Sequence, residues 1–236
     1  MERARRVVQD LKRQLKQVDG IQRRGLVLST LLRFKQICNH PAQFLESGEY
    51  LPEQSAKFER LRQLCEPIRA RQEKVLVFTQ FQSMCEPLAE FLREVFGQPG
   101  LVLHGGTAVK RRSELVKEFQ GDVGKPFFVI SLKAGGSGLN LTAASHVVHF
   151  DRWWNPAVED QARDRAWRIG QGKTVISHRL VCPGTVDEQV EEVVAGKRHI
   201  ANLVLPKSSS IADLNSDQLR LALGLRNDEL LTGDDE

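Results

Sequence analysis

Hydrophobic positions divide the chain into a helical first part and a later series of short apolar runs. Apolar residues recur at intervals of three or four from Val7 to Val18, which predicts a helix that ends at Gly20. A similar pattern over residues 26–37 predicts a second helix, which stops before Pro41 because proline cannot continue it. The first part is therefore expected to be a helical extension.

Short strand patterns then alternate with amphipathic segments, and two of them, KVLVFT (74–79) and FFVIS (127–131), have the apolar character of buried strands. Buried parallel strands have this pattern, and strand–helix alternation with short loops predicts a doubly wound, three-layer α/β domain. We expect strands at 74–79, 101–104, 127–131, 146–150 and 175–180, helices at 55–72, 81–95, 107–119 and 156–168, and loops at 41–54 and 132–140.

Side chains that can cap helices mark several of these boundaries. Ser55 and Thr107 are expected to cap the helices that follow them, and Thr185 with Glu188 forms a capping box that opens a last helix to about residue 205. The expected division is a helical extension, a core lobe, a C-terminal bracing helix and a polar acidic tail, over residues 1–54, 55–183, 184–206 and 207–236.

Charge and cysteine content narrow the class of protein without deciding its function. Residues 1–36 have a net charge of +7, which suits either a DNA backbone contact or the solvated face of a helix. The four cysteines are widely spaced, which favours free thiols over a zinc site or a disulfide framework. No apolar run is long enough for a membrane span or signal peptide, so we expect a soluble, intracellular protein, in the cytoplasm or nucleoid of a prokaryote or the nucleus of a eukaryote.

Polar residues follow three of the predicted strands, and in a parallel sheet these strand ends gather at one ligand-binding edge. Thr79 and Gln80 follow the first strand, and His104 and Gly105 follow the second. The third leads into Ser131–Gly138, where three glycines and Lys133 could approach an anion. Such glycines also serve ordinary turns, so the loop alone leaves both interpretations open.

The predicted helix at 156–168 carries three long polar side chains at helical spacing. Gln161, Arg165 and Arg168 are four and three residues apart and share one face. Guanidinium groups bind phosphate oxygens in a bidentate manner and can stabilise charge that develops in phosphoryl transfer. From spacing alone, a salt-bridged surface helix with the neighbouring acids remains an alternative.

A family resemblance favours the phosphate interpretation. Five segments in the right order resemble the C-terminal lobe of Swi/Snf-type DNA-dependent ATPases of helicase superfamily two: ICNHP (37–41), VLVFTQF (75–81), ISLKAGGSGLNLT (130–142), DRWWNPAVEDQARDRAWRIGQ (151–171) and TVDEQV (185–190). The resemblance implies a RecA-like lobe with an N-terminal helical segment and a C-terminal helix. Many members carry His where Trp167 stands, a departure that leaves both arginines intact.

The resemblance also implies roles for individual residues. Arg165 and Arg168 would be catalytic arginine fingers. Residues that would bind the nucleotide are Gln161, Gly136, Gly138 and Asn140, and residues that would lie on the double-stranded DNA track are Thr79, Gln80, His104, Gly105, Lys133 and Trp154. No residue is assigned to a metal.

The sequence lacks the phosphate-binding loop and Mg²⁺ carboxylate that an ATPase needs. Gly172-Lys173-Thr174 follows a predicted helix and precedes a strand, the reverse of the required order. We therefore expect ATP with Mg²⁺ to be held mainly by a first RecA-like lobe, in the same or a partner polypeptide, and this lobe alone to be inactive in hydrolysis.

Two other functions compete with this interpretation. A non-catalytic DNA-binding module would explain the absent phosphate-binding loop, although the two arginines argue against it. A dinucleotide-dependent oxidoreductase would need G-x-G-x-x-G after the first strand, where residues 79–87 contain no glycine.

Overall fold

The computed structural model describes residues 20–121, 124–135, 139–151, 153, 156–166 and 174–188. Its centre is a five-stranded sheet in which every neighbouring pair of strands is parallel, in the order β2-β3-β1-β4-β5. The strands are β1 (Val75–Thr79), β2 (Leu101–Leu103), β3 (Phe127–Ser131), β4 (His146–His149) and β5 (Ile176–Arg179). All five agree with the sequence prediction to within two residues at each end.

Helices cover both faces of this sheet. In chain order they are α1 (Gly20–Asn39), α2 (Pro41–Leu45), α3 (Ala56–Ala70), α4 (Cys85–Phe96), α5 (Val109–Gln120), α6 (Leu132–Gly135) and α7 (Pro156–Ala166), with 3₁₀ turns at Pro52–Gln54 and Gln82–Met84. The predicted helix before Gly20, most of the predicted bracing helix and the acidic tail lie outside the described residues.

Alternate residues of β1 enter two separate hydrophobic clusters, as the period of two in a strand requires. Val75 and Val77 pack with side chains of α3 and α4, whereas Leu76 and Phe78 pack with side chains of α5 and α7. The strand is buried throughout. The predicted three-layer α/β fold is confirmed.

The predicted loops over residues 41–54 and 132–140 are each wrong in part, since α2 lies within the first and α6 within the second. Pro41 ends α1 and at the same time occupies the first turn of α2, where a missing N–H costs nothing. His40 caps α2, since its Nδ1 accepts a hydrogen bond from Ala42 N at 3.0 Å. Pro52 begins a 3₁₀ turn for the same reason.

The predicted caps have mixed outcomes. Ser55 caps α3 as expected, because its Oγ accepts a hydrogen bond from Phe58 N. Thr107 does not cap α5: its Oγ1 accepts instead from His104 N, and α5 begins two residues later. Thr185 and Glu188 do bind the backbone around a helix start, but they accept from Asp187 N and Gly184 N, each one residue away from the capping-box pattern.

Within the described residues, no helix is long and apolar enough to cross a membrane.

Candidate functional site

The strand ends that carry the predicted site residues meet at the carboxyl edge of the sheet. β1 and β4 are neighbours, so Thr79 and Gln80 lie beside Asp151, which follows β4. His104 follows β2 at the outer edge of the sheet, three strands from β4 and therefore roughly 14 Å away at normal strand spacing. The predicted residues thus form an extended edge and not one compact pocket.

Asp151 organises the centre of this edge. Its Oδ2 accepts hydrogen bonds from Thr79 Oγ1 at 2.6 Å and from Asn39 Nδ2 at 3.1 Å, and its Oδ1 accepts from Gln80 N at 2.8 Å. The carboxylate is 1% exposed. It fixes the end of β1 and joins the end of α1 to the sheet edge.

Behind Asp151 lies a buried group of charged side chains, which we call the charge cluster: Lys35, Lys57, Asp151 and Asp187. Lys57 Nζ lies 2.5 Å from Asp187 Oδ2, and Lys35 Nζ lies 3.7 Å from Asp187 Oδ1. Lys57 Nζ also donates to Asn39 Oδ1 at 3.1 Å. The cluster connects α1, α3, the end of β4 and the start of the helix that begins at residue 186.

Burial and pairing shift the pKa values of the cluster in different directions. Burial acts to lower the pKa of both lysines; in Lys57 the close Asp187 outweighs it and raises the pKa, whereas in Lys35 burial prevails. Burial raises the pKa of Asp151, and Lys35 and Lys57 offset part of that shift. Burial also acts to raise the pKa of Asp187, but Lys57 and Lys35 hold it below its usual value.

Thr79 and Gln80, the predicted DNA contacts after β1, have different environments. Thr79 is fully buried and donates its hydroxyl to Asp151, so its present role is to hold the strand end. Gln80 is 8% exposed, and within the described part of the chain neither its Oε1 nor its Nε2 has a hydrogen-bond partner. An unsatisfied buried amide at a ligand-binding edge is a candidate contact for a polar ligand.

The turn after β2 is held by its own polar groups. His104 Nδ1 accepts a hydrogen bond from Gly106 N at 3.1 Å, and Arg112 donates to Thr107 O and to Gly105 O. Gly105 is exposed and His104 half-buried. The turn therefore presents backbone and imidazole groups at the edge, next to the basic first turn of α5.

The segment after β3 is joined to α7. Leu141 N donates to Arg165 O at 2.9 Å, so the position after Asn140 is tied to the helix that carries Gln161 and Arg165. Lys133, Asn140 and Gln161 are exposed, whereas Arg165 is 9% exposed. The side of α7 with Ala162 and Ala166 packs on the sheet. Gly136, Gly138, Trp154 and Arg168 lie outside the described residues.

Sequence reasoning missed the charge cluster and Asn39. A faint signal was present, because Lys35 interrupts an apolar helical run and Asp151 directly follows an apolar strand. Neither position indicates by itself that lysines and aspartates from four distant segments meet.

The helicase conserved C-terminal domain family matches residues 56–170. The chain is 42% identical over 215 residues to the putative ATP-dependent helicase/translocase YwqA of Bacillus subtilis, a match that covers 90% of this chain and 23% of YwqA. The chain therefore spans about a quarter of the length of that curated relative.

Solved structures of the SWI2/SNF2 ATPase of Sulfolobus solfataricus have the same fold. Its C-terminal domain is 34% identical, with a TM-score of 0.76, and the match covers 95% of this chain and 92% of that domain. Its ATPase core in complex with double-stranded DNA is also 34% identical, with a TM-score of 0.79, and the match covers 95% of this chain and 47% of that chain. This chain thus belongs to the SWI2/SNF2 family of ATPases and carries its helicase C-terminal, RecA-like lobe.

Proposed function

We propose that this chain is the second ATPase lobe of an ATP-dependent double-stranded-DNA translocase. Arg165 and Arg168 would supply arginine fingers to ATP held by a first lobe, and the carboxyl edge of the sheet would form part of the DNA track. The observation that carries the proposal is the hydrogen bond from Leu141 N to Arg165 O. It links the segment that includes Lys133 and Asn140, expected on DNA and nucleotide, to the helix of the first finger.

ATP fits these residues better than Mg²⁺ does. Arginine binds phosphate oxygens in a bidentate manner, and Gln161 lies one helical turn before Arg165 on the same helix. Mg²⁺ requires open oxygen ligands, but the carboxylate of Asp151 already accepts three hydrogen bonds. Mg²⁺ and the catalytic carboxylate would therefore come from the first lobe, as the sequence predicts.

In the proposed cycle, ATP between the lobes favours closure because the phosphate charge interacts with Arg165 and Arg168. Preorganised positive charge then stabilises the negative charge that develops on the transferred phosphoryl group. Hydrolysis weakens that interaction and reopens the cleft. The joint at Leu141 would transmit each movement of α7 to the DNA-facing segment.

The test is ATP hydrolysis with double-stranded DNA, measured for the chain alone and with a separately prepared first lobe. We expect turnover with the added lobe only, and Arg165→Ala or Arg168→Ala should reduce it about 10³-fold or more, with DNA affinity nearly unchanged. Arg93→Ala is the matched control, since Arg93 is an exposed helix arginine paired with Glu90. Parallel loss of hydrolysis and DNA affinity in the finger variants would contradict the division of roles.

The second candidate, a DNA-binding module that works without ATP, predicts a different result. It would bind duplex DNA but give no turnover with any first lobe. Lys133→Ala and Trp154→Ala separate the candidates further: in the motor they should abolish stimulation of hydrolysis by DNA, whereas in the module they would lower DNA affinity alone.

A further inference from the structure

Two cysteines that are 144 residues apart in sequence meet beside the charge cluster. Cys38 lies near the end of α1, and Cys182 lies between β5 and the helix that begins at residue 186. The two Sγ atoms and a carboxylate oxygen of Asp187 all lie within 4.8 Å of one another. The Cys182 thiol donates to Cys38 O at 3.6 Å.

Accessibility distinguishes this pair from the other two cysteines. Cys38 and Cys182 are partly exposed, whereas Cys65 and Cys85 are buried. Burial raises the pKa of Cys65 and of Cys85 to about 12, which keeps both as unreactive thiols near neutral pH.

We propose that Cys38 and Cys182 are an oxidation site, at which a peroxide converts the two thiols into a reversible disulfide. The basis of the proposal is the proximity of two partly exposed thiols from separate segments. The proposal is independent of the ATPase function proposed above, because the disulfide lies within this lobe. Its formation can be detected by mass spectrometry without any activity assay.

The chemistry assigns the first step to Cys38. The neighbouring Cys182 thiol stabilises the Cys38 thiolate and so lowers the pKa of Cys38. The same interaction, together with burial, raises the pKa of Cys182. Cys182 therefore remains protonated until Cys38 has reacted, and then acts as the resolving thiol.

Both steps balance with hydrogen peroxide as the oxidant. The Cys38 thiolate attacks one peroxide oxygen, the O–O bond breaks, and the departing hydroxide takes a proton to become water, which leaves a sulfenic acid. The Cys182 sulfur then attacks the Cys38 sulfur, displaces hydroxide and loses its proton, so that a second water forms with the S–S bond. Two electrons pass from the thiol pair to one peroxide.

A metal ion is the rival use of the same three groups, and the charge cluster disfavours it. Asp187 would have to act as the third ligand, but its carboxylate is paired with Lys57 at 2.5 Å and with Lys35 at 3.7 Å. A divalent cation would lie beside two buried ammonium groups. Structural zinc sites also use four protein ligands, and the described residues offer three at this place.

The disulfide would join α1 to the segment that precedes residue 186 and close a very long loop of the unfolded chain. Loops of this length give large entropic stabilisation when native contacts already hold the two ends together. We expect oxidation to raise the unfolding temperature by about 10 °C.

Peptide mapping of the complete chain tests the proposal directly, because trypsin places each cysteine on a different peptide, at 36–57, 63–69, 75–93 and 180–197. Treatment with equimolar hydrogen peroxide should lower the mass by about 2 Da and link peptide 36–57 to peptide 180–197. Dithiothreitol should reverse both changes and the rise in unfolding temperature.

Cys38→Ser and Cys182→Ser should each abolish the cross-link, and Cys65→Ser is the matched control that should retain it. The unsubstituted chain keeps the test decisive even where a variant folds poorly. Sulfinic acid on Cys38 with a free Cys182, a cross-link through Cys65 or Cys85, or stoichiometric zinc that shields both thiols would each overturn the proposal.

Discussion

The ammonium group of Lys57 lies 2.5 Å from the carboxylate of Asp187, and both side chains are at most 2% exposed. Removal of either partner leaves a buried charge that has lost its nearest counter-ion, which is more costly than the loss of a surface pair. The pair joins α3 to the start of the helix that begins at residue 186, so its strength bears on the whole lobe.

Lys57→Met should lower the free energy of unfolding by about 3–5 kcal/mol, because Asp187 would retain only the more distant Lys35. The matched control is Arg111→Met, which removes an exposed ion pair with Glu114 and should cost less than about 1 kcal/mol. Urea unfolding at neutral pH measures both. Equal costs for the two variants would contradict the role of the buried pair.

The pH dependence of stability should contain a contribution from Asp187. Its pKa is lowered in the folded state, so near and below pH 4 the unfolded chain binds a proton that the folded chain does not. The stabilisation is therefore present above the unfolded pKa and is lost as the pH falls through the folded pKa.

Asp187→Asn should accordingly flatten the fall of the unfolding free energy below about pH 4, although the variant is less stable at neutral pH. Urea titrations at several acidic pH values measure the slope. Asp151 acts in the opposite sense, since its pKa is raised, so Asp151→Asn should not flatten the slope. Identical slopes for the parent and Asp187→Asn would argue against the inferred shift.

Thr79→Val tests the organisation of the sheet edge by Asp151. The substitution keeps the shape of the side chain but removes a 2.6 Å hydrogen bond to a buried carboxylate. We expect a loss of about 1.5–3 kcal/mol in unfolding free energy. Thr174→Val, at an exposed position, should change it by less than about 0.5 kcal/mol. A Thr79→Val variant as stable as the parent would contradict this account.

Gln80→Met should change the stability of the fold and the affinity for duplex DNA in opposite directions. The buried amide makes no hydrogen bond to the described residues, so its replacement should raise the unfolding free energy by about 1 kcal/mol. If the amide contacts DNA as predicted, affinity for duplex DNA should fall in the same variant. Exposed Gln82 provides the control substitution. Unchanged DNA affinity for Gln80→Met would remove Gln80 from the proposed track.

Alanine substitutions at two glycines, one packed against the sheet and one exposed, test the packing around Phe127. A Cβ on Gly100 would overlap the ring of Phe127, so Gly100→Ala should cost about 1–3 kcal/mol. Gly25 is exposed within α1 and a Cβ there meets no atom within 4 Å, so Gly25→Ala should stabilise by about 0.5–1 kcal/mol. Thermal unfolding of both variants measures the difference, and equal shifts would contradict the packing at Gly100.

The central strands β1 and β3 were predictable because each is a local apolar run, and a parallel sheet buries such runs on both faces. The exposed edge strand β5 was predictable from the alternation of strands and helices. The rule for parallel sheets also predicted that the polar residues after the strands share the carboxyl edge, where Thr79 ends β1 and His104 follows β2. The short helix at Pro41 was missed because one proline can end one helix and begin another. Thr107 was wrongly predicted as a helix cap because its hydroxyl can accept a hydrogen bond from several nearby backbone amides. The local sequence does not show which of these amides it binds.

The charge cluster and the cysteine pair could not be read from spacing. Lys35, Lys57, Asp151 and Asp187 each have ordinary surface explanations, and only the packing of four segments places them together. Cys38 and Cys182 are separated by nearly the whole lobe, so no local motif reveals them. Contacts of this kind depend on tertiary structure, about which a single sequence carries little direct information.

The long separations of these contacts have a consequence during synthesis. Asn39 binds Asp151, which is synthesised 112 residues later, and Cys38 contacts Cys182, which is synthesised 144 residues later. At ordinary rates of translation, α1 leaves the ribosome on the order of ten seconds before Asp151 exists. Until then α1 has the nearby α2 and Ser55 as partners but lacks the sheet edge, and loop closure over such distances is slow. Chaperone dependence of the nascent chain should therefore be concentrated in this interval.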